Sequence, residues 1–291
     1  MLMKPLLSLV IILLFAQLPT QAQADGKLDQ ASMLDYCQNW ATKLRTITIE
    51  GCLALDLQTS HHSSVQGRAL THREFIPASD TRPKARVLII SGVHGDEFSA
   101  ISIGYLWMQT MLANPEAIAH HWLFLPLANP DGLYRQPSTR TNANNVDLNR
   151  NFPTPDWDEL AIKFWESHTR RNARRYPGPA AGSEPETQWQ IEIIKTFQPD
   201  AIISIHAPYG LLDYDGPDFA RPDRMGHLKL QQLGTFPGSL GRYAGEHLNI
   251  PVLTIELEAA GRLPNQQEIM QIWQDMVDWI DAKLETYEAD F

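Results

Sequence analysis

Histidine and glutamate side chains follow apolar runs at two separate places in the sequence. His94 and Glu97 lie three residues apart in a sharp turn after the run 87–90, and His206 comes directly after the run 201–205. Because the carboxyl ends of parallel strands meet along one edge of an α/β sheet, these side chains are expected to converge. Two histidines and one glutamate, with a fourth position left to water, form a common catalytic zinc set. A hydrogen-bonded histidine of the core or surface is the alternative for each, since the chain has 10 histidines.

Two acidic residues near a third apolar run are candidates for acting on water. Glu256 directly follows the run 252–255. A carboxylate at this edge of the sheet suits a general base for water activated beside a metal. Glu258 lies on the same side by strand alternation and is a competing candidate.

The segment 134–155 is rich in Asn, Arg and Pro and is predicted to be a long loop. Long loops in compact domains are usually functional. Asn149 and Arg150 can hold a carboxylate through amide and guanidinium donors. Asp147 can accept a proton from a metal-binding histidine, and Arg140 can polarise a carbonyl. A solvated loop rich in turns is the alternative.

Apolar runs alternating with helical patterns position these residues. Strands are predicted at 46–56, 66–77, 87–90, 122–127, 201–205 and 252–255. Helices are predicted at 30–45, 97–113, 185–197 and 265–287, and turns at 61–64 and 129–132. Ser183 and Glu186 form a capping-box pattern at one helix start. This order of elements predicts a single α/β domain with a largely parallel sheet.

Composition restricts the class of partner. The 291 residues are 43% hydrophobic and 20% charged, which is ordinary for a globular protein. A net charge of −10 argues against non-specific nucleic-acid binding, which depends on Lys and Arg at phosphates. Arg170, Arg171, Arg174 and Arg175 form a basic cluster. Their spacing favours a solvated helix face over a rim that attracts carboxylates.

Residues 1–24 have the pattern of a cleaved signal peptide. The apolar segment 5–16 is followed by small residues at Ala22 and Ala24, as at a cleavage site. A membrane-spanning helix needs about 20 apolar residues, so this segment is too short to cross a bilayer. We expect the mature domain to be residues 25–291, secreted without a stable membrane anchor into the periplasm of a Gram-negative bacterium.

The expected export bears on whether the two cysteines are paired or free. In an oxidising compartment Cys37 and Cys52 can pair. We expect a disulfide that joins a helix to the end of a strand. Two buried free thiols are the alternative.

Four motifs occur in the order and approximate spacing of the zinc carboxypeptidase family, which the chain resembles over about residues 60–285. They are His94-Gly95-Asp96-Glu97, Asp147-Leu148-Asn149-Arg150-Asn151-Phe152, Ser204-Ile205-His206 and Thr254-Ile255-Glu256-Leu257. The resemblance implies a mixed, mostly parallel sheet flanked by helices. It also implies one Zn²⁺ ion bound by His94, Glu97 and His206.

The resemblance further implies roles for other residues. Glu256 would take a proton from the attacking water and return it to the leaving amine. Arg140 would stabilise the oxyanion. Asn149 and Arg150 would hold the carboxylate of the leaving residue, and Asp147 would orient a zinc-binding histidine.

Within the family, the chain is most similar to amidases of bacterial cell-wall peptides, through residues 183–187, 204–208 and 236–241. That branch cleaves the bond between γ-D-glutamate and meso-diaminopimelate, so the implied partner is a peptide derived from peptidoglycan. Carboxypeptidases of the family carry a tyrosine on a mobile loop well before the catalytic glutamate. Here 234–238 contains none, and Tyr243 is too near the glutamate to be its equivalent.

Three alternatives stay open. The first is a zinc carboxypeptidase of ordinary peptides. The second is an acyl-amino-acid hydrolase of the desuccinylase and aspartoacylase type, against which the segments 183–186 and 254–257 argue. The third is a wall-binding module without catalysis. Glu256 and Arg140 argue against it, because binding alone needs neither.

Overall fold

The computed structural model describes residues 26–78 and 83–284, so the expected signal peptide, 1–24, lies outside the described residues. The helices are α1 (Gln30–Lys43), α2 (Ile49–Ala54), α3 (Phe98–Ala113), α4 (Pro130–Tyr134), α5 (Trp157–Ser167), α6 (Pro185–Phe197) and α7 (Gln266–Leu284). The strands are β1 (Gln58–Ser63), β2 (Ala69–Phe75), β3 (Arg86–Ile90), β4 (His121–Leu125), β5 (Ala201–His206), β6 (Leu211–Asp215), β7 (Arg224–Met225), β8 (Leu228–Lys229) and β9 (Val252–Glu256). Within the described part of the chain, none of the helices combines the length and apolarity needed to span a membrane.

Seven strands form the central sheet in the order β1-β2-β4-β3-β5-β9-β6. The inner strands β4, β3, β5 and β9 are mutually parallel, and the outer pairs are antiparallel. The chain leaves β3 for β4 on one side and later adds β5 on the other. The crevice beyond the carboxyl ends of β3 and β5 is therefore a switch point of the kind where α/β proteins bind ligands. The predicted mixed, mostly parallel sheet with flanking helices is confirmed.

Both faces of β3 are covered, which explains its continuous apolar run. Val87 and Ile89 face a core shared with α1, α3 and α7. Leu88 and Ile90 face a second core, to which Trp189 of α6 belongs. The alternation of strand side chains thus joins one sheet to two helical layers.

The N-terminal region differs from expectation. Residues 46–56, predicted as a strand, contain α2 instead, because the Thr48 side chain accepts the backbone N–H three residues on at 3.0 Å and caps a helix. The turn predicted at 61–64 is wrong, since most of it lies inside β1. The chain turns at 64–67, where Gly67 has a φ of 76°.

The predicted turn at 129–132 and the predicted capping box at 183–186 both differ in detail from the structure. The turn predicted at 129–132 is the cap and first turn of α4. Helix α6 begins as predicted, but its N-cap is Glu184, and the capping-box interpretation is wrong. The Ser183 hydroxyl donates to the Glu184 carboxylate at 2.7 Å, while Glu186 is buried and accepts a hydrogen bond from Asn142 at 3.0 Å.

A disulfide joins Cys37 of α1 to Cys52 of α2, with the two Cα atoms 5.6 Å apart. Both residues are fully buried, so the bridge lies inside the core. Cys52 belongs to a helix and not to the end of a strand, because α2 replaces the predicted strand.

We expect replacement of both cysteines by alanine to lower the free energy of unfolding by about 3 kcal/mol, since the bridge closes a loop of 15 residues. Urea unfolding of the wild type and the double variant measures this difference. A reducing agent should lower the midpoint of the wild type and leave that of the variant unchanged. Equal midpoints for the two oxidised proteins would contradict a stabilising role for the bridge.

Candidate active site

Three side chains converge beyond the carboxyl ends of β3 and β5. His94 Nδ1 lies 2.8 Å from Glu97 Oε1 and 3.0 Å from His206 Nδ1, and the second oxygen of Glu97 lies 3.1 Å from His206 Nδ1. All three residues are buried. Two imidazole nitrogens that face each other beside a shared carboxylate form a donor set that fits a tetrahedral Zn²⁺ ion.

Each histidine is oriented by a hydrogen bond at its other nitrogen. His94 Nε2 lies 3.1 Å from Asp147 Oδ1, which is the position predicted for that carboxylate. His206 Nε2 lies 2.9 Å from the hydroxyl of Ser204. Such partners fix the ring orientation of metal-binding histidines, so both Nδ1 atoms are presented to an ion. Ser204 was not predicted, although strand alternation puts it on the same face as His206.

Two carboxylates of the site have lowered pKa values because hydrogen-bond donors and positive charge surround them. Burial acts to raise the pKa of Glu97, but the rings of His94 and His206 outweigh it and hold that pKa below its usual value. Burial also opposes ionisation of Asp147. Arg140, whose Nε donates to it at 2.9 Å, and His94 outweigh burial and hold the pKa of Asp147 well below its usual value.

Glu256 ends β9 and pairs in register with His206 of β5. It is buried, and its Oε2 has no hydrogen-bond partner among the described residues. Burial, reinforced by the negative charge of Glu97, raises the pKa of Glu256 to about 7. A carboxylate with that pKa can both take and return a proton near neutral pH. The competing Glu258 has a side chain that is 62% exposed and lies 3.6 Å from His227, outside the cleft.

The three donors predicted from the long loop line the same cleft, which has a volume of about 670 Å³. They are Arg140, Asn149 and Arg150. Asn149 Oδ1 accepts the backbone N–H of Leu240 at 2.8 Å, and the Arg150 guanidinium lies over the Phe236 ring at 4.4 Å. Burial lowers the pKa of Arg150 to about 10, so it stays protonated at neutral pH. Two guanidinium groups and an amide at one cleft suit a carboxylate or a developing oxyanion.

The loop 236–241 is pinned to the backbone around Arg150. Gly238 has a φ of 79°, and a Cβ there would lie 1.9 Å from the Arg150 carbonyl oxygen, so only glycine permits this approach. The carbonyl of Gly238 accepts from Phe152 N at 3.0 Å, and its N–H donates to Thr154 Oγ1 at 3.1 Å. The two segments therefore form one wall of the cleft.

Two aspartates of β6 line the cleft from the adjacent edge of the sheet. Asp213 accepts the backbone N–H of Leu233 at 2.9 Å. Asp215 approaches Gly241 so closely that a Cβ there would lie 1.9 Å from its carboxylate. Burial raises the pKa of both, and the charges of Asp213 and Glu246 help to raise that of Asp215 to about 7. Neither was predicted, although acids alternate with apolar residues over 212–215.

The basic cluster divides into two pairs. Arg174 and Arg175 line the cleft from a short 3₁₀ helix beyond the end of α5, so the predicted helix face is wrong for them, while the Arg174 side chain is solvated as predicted, with 57% of it exposed. Arg174 donates to Asp96 at 2.6 Å, and Arg175 approaches the Tyr209 hydroxyl at 3.4 Å. The arginines at 170 and 171 have positive φ angles in a turn, which also excludes a helix.

Tyr209 is the one tyrosine lining the cleft among the described residues. It is 54% exposed and was not predicted. Tyr243 is buried and stacks on Phe152 with ring centroids 5.5 Å apart. It is not among the cleft residues, in agreement with its exclusion as a substrate-closing tyrosine.

Comparisons with known proteins agree with this geometry. The sequence profile of the zinc carboxypeptidase family matches residues 57–218. Murein peptide amidase A of Vibrio campbellii is 33% identical over 210 residues, which cover 68% of this chain and 78% of that protein. The protein of that name from Escherichia coli K12 is 38% identical over 128 residues, which cover 43% of this chain and 50% of that protein.

Solved structures show the same fold. The crystal structure of murein-tripeptide amidase from Escherichia coli O157 covers 75% of this chain and 88% of its own, with a TM-score of 0.53 and 26% identity. Carboxypeptidase A from Helicoverpa armigera covers 77% of this chain and 67% of its own, with a TM-score of 0.58. Its identity of 18% makes it a likeness of fold alone.

We expect the buried Asp215 to make stability depend on pH. Its pKa rises from 3.8 to about 7 on folding, so the folded state binds more protons between these values and stability falls as pH rises through them. Replacement of Asp215 by Asn should reduce the drop in Tm between pH 5 and pH 8. Thermal unfolding at a series of pH values measures this, with the exposed Asp158→Asn as the control. An unchanged drop in Asp215→Asn would refute the assignment.

Proposed function

The chain belongs to the zinc carboxypeptidase family, and we propose that it hydrolyses bacterial cell-wall peptides at the bond between γ-D-glutamate and meso-diaminopimelate. It is a zinc metallopeptidase by family. Relatives with the names murein peptide amidase A and murein-tripeptide amidase support a wall peptide as the substrate.

The charge pattern of the cleft supports this bond most directly. Asn149 and Arg150 offer donors for the carboxylate of a leaving residue. Leu240 bonds to Asn149, and the next residue, Gly241, packs on Asp215, so an acid lies just beyond those donors. An acid there suits a leaving residue whose side chain ends in an ammonium group. The side chain of meso-diaminopimelate ends in an ammonium and a carboxylate, which complement this acid and the arginines of the cleft.

The proposed mechanism assigns one task to each group. A bound zinc ion, held by His94, Glu97 and His206, would supply Lewis-acid polarisation of the scissile carbonyl and acidify water. Glu256, whose Oε2 has no hydrogen-bond partner within the described part of the chain, takes the proton of the attacking water and returns it to the leaving amine. Arg140 donates to the oxygen on which negative charge develops.

We also propose that the enzyme acts outside the cytoplasm. Residues 1–24 have the composition of a cleaved signal peptide. The disulfide between Cys37 and Cys52 is of a kind that persists in oxidising compartments. A periplasmic location favours remodelling or trimming of wall peptides over their recycling inside the cell.

We expect the purified chain to release free diaminopimelate from L-Ala-γ-D-Glu-meso-diaminopimelate, as measured by mass spectrometry. A zinc chelator should abolish the release, and added Zn²⁺ should restore it. The matched peptide ending in L-Lys keeps the ammonium but lacks the distal carboxylate, so it should be cleaved more slowly. Cleavage confined to ordinary peptides with a free C-terminal L-residue would overturn the proposed bond and favour the carboxypeptidase alternative.

The pair Glu256 and Glu258 offers a matched test of the base. Glu256→Gln should lower kcat/KM by about 10²- to 10⁴-fold, because the amide cannot take a proton. Glu258→Gln changes the same group outside the cleft and should leave kcat/KM unchanged. The zinc content of both variants should equal that of the wild type. Equal turnover in Glu256→Gln would disprove the assignment of the base.

A further inference from the structure

A second group of metal-binding side chains lies outside the cleft, where the edge strand β1 contacts helix α6. His62 Nε2 lies 2.7 Å from Glu192 Oε2, and His61 Nε2 lies 3.5 Å from the same oxygen. The centroids of the two imidazole rings are 4.2 Å apart. We propose that His61, His62 and Glu192 form a surface site for a divalent transition-metal ion, with Zn²⁺ as the probe.

An irregularity in β1 brings the two consecutive histidines to the same partner. Successive residues of a regular strand point to opposite faces of the sheet. In β1, however, Thr59 pairs with Thr71 and Ser63 pairs with Ala69, so four steps along β1 match two along β2. The extra residues disrupt the alternation between these pairs. Both imidazole rings can therefore approach one carboxylate of α6.

The ligand atoms of the three residues lie within 4.8 Å of one another, close enough to share one ion. Bonds of about 2.0–2.1 Å to nitrogen and oxygen give a separation of about 3.3–3.4 Å between neighbouring ligand atoms. The distance from His61 to Glu192 is 3.5 Å, while that from His62 must widen from 2.7 Å by a small side-chain rotation. Imidazole nitrogens and a carboxylate are ligands that Zn²⁺ accepts.

The three side chains are partly exposed to water, and the strand and helix that carry them are held together by a further contact. The side chains are 36%, 19% and 44% exposed for His61, His62 and Glu192, so solvent can supply a fourth ligand. A second contact, from Val65 N to the Glu186 carboxylate at 3.1 Å, holds α6 against the end of β1. A bound ion would clamp the edge strand to this helix, and binding to the folded state alone would raise stability.

Metal stoichiometry tests the proposal with the mature chain dialysed against a buffered, low concentration of Zn²⁺. We expect two ions per chain in the wild type, one in the active site and one here, and one in the double variant His61→Asn/His62→Asn. Glu192→Gln keeps both histidines and should bind the second ion more weakly. His247→Asn, a change at another exposed histidine, should keep two ions.

The outcomes separate this site from the catalytic one. One ion in both the wild type and the double variant would overturn the surface site. One ion in the wild type and none in the double variant would support the surface site and remove the catalytic ion from the proposed function. At a Zn²⁺ concentration of about 100 times Kd, Tm of the wild type should rise by about 5 °C more than that of the double variant.

Discussion

The burial of opposite charges at one end of the sheet constrains the rest of the structure. Glu97 and Asp147 are buried, and the hydrogen bonds and positive charge that His94, His206 and Arg140 supply hold the pKa values of both below their usual range. An isolated buried carboxylate costs several kcal/mol, so none of these groups can be moved alone. The ends of β3 and β5 and the long loop after α4 must therefore meet at fixed distances.

The long loop reaches that position through α6. Asn142 donates to Glu184 at 2.7 Å and to Glu186 at 3.0 Å, and its side-chain oxygen accepts the backbone N–H of Val146 at 3.1 Å. Glu186 is fully buried at this contact, and burial raises its pKa to about 6. Helix α6, which packs on the sheet, thus fixes the loop that carries Asp147. Glu186, which was predicted to form part of a capping box, instead helps to position this loop at the site.

The sequence predicts the inner sheet and most of the site because β3, β5 and β9 are buried on both faces and end in polar residues. These strands can be recognised from their apolar runs alone, without knowledge of the tertiary structure. Because the strands are parallel, their carboxyl ends meet at one edge of the sheet. Helix α2 could not be predicted in this way, since six residues are too few to show a helical period. Asp213 and Asp215 were missed because their role depends on the loop 236–241, which is distant in the sequence and meets β6 only in the fold.

The close approach of Gly238 to the Arg150 carbonyl limits how substrate specificity can change by mutation. Residues 149–154, which carry the donors proposed for the leaving carboxylate, and residues 236–241, which pack on Asp215, share this contact. The two segments are therefore coupled although 80 residues or more separate them in the sequence. A mutation that reshapes one segment alone breaks the fit to the other. An exchange of segments that is meant to change the specificity of this cleft must therefore replace residues 149–154 and 236–241 together.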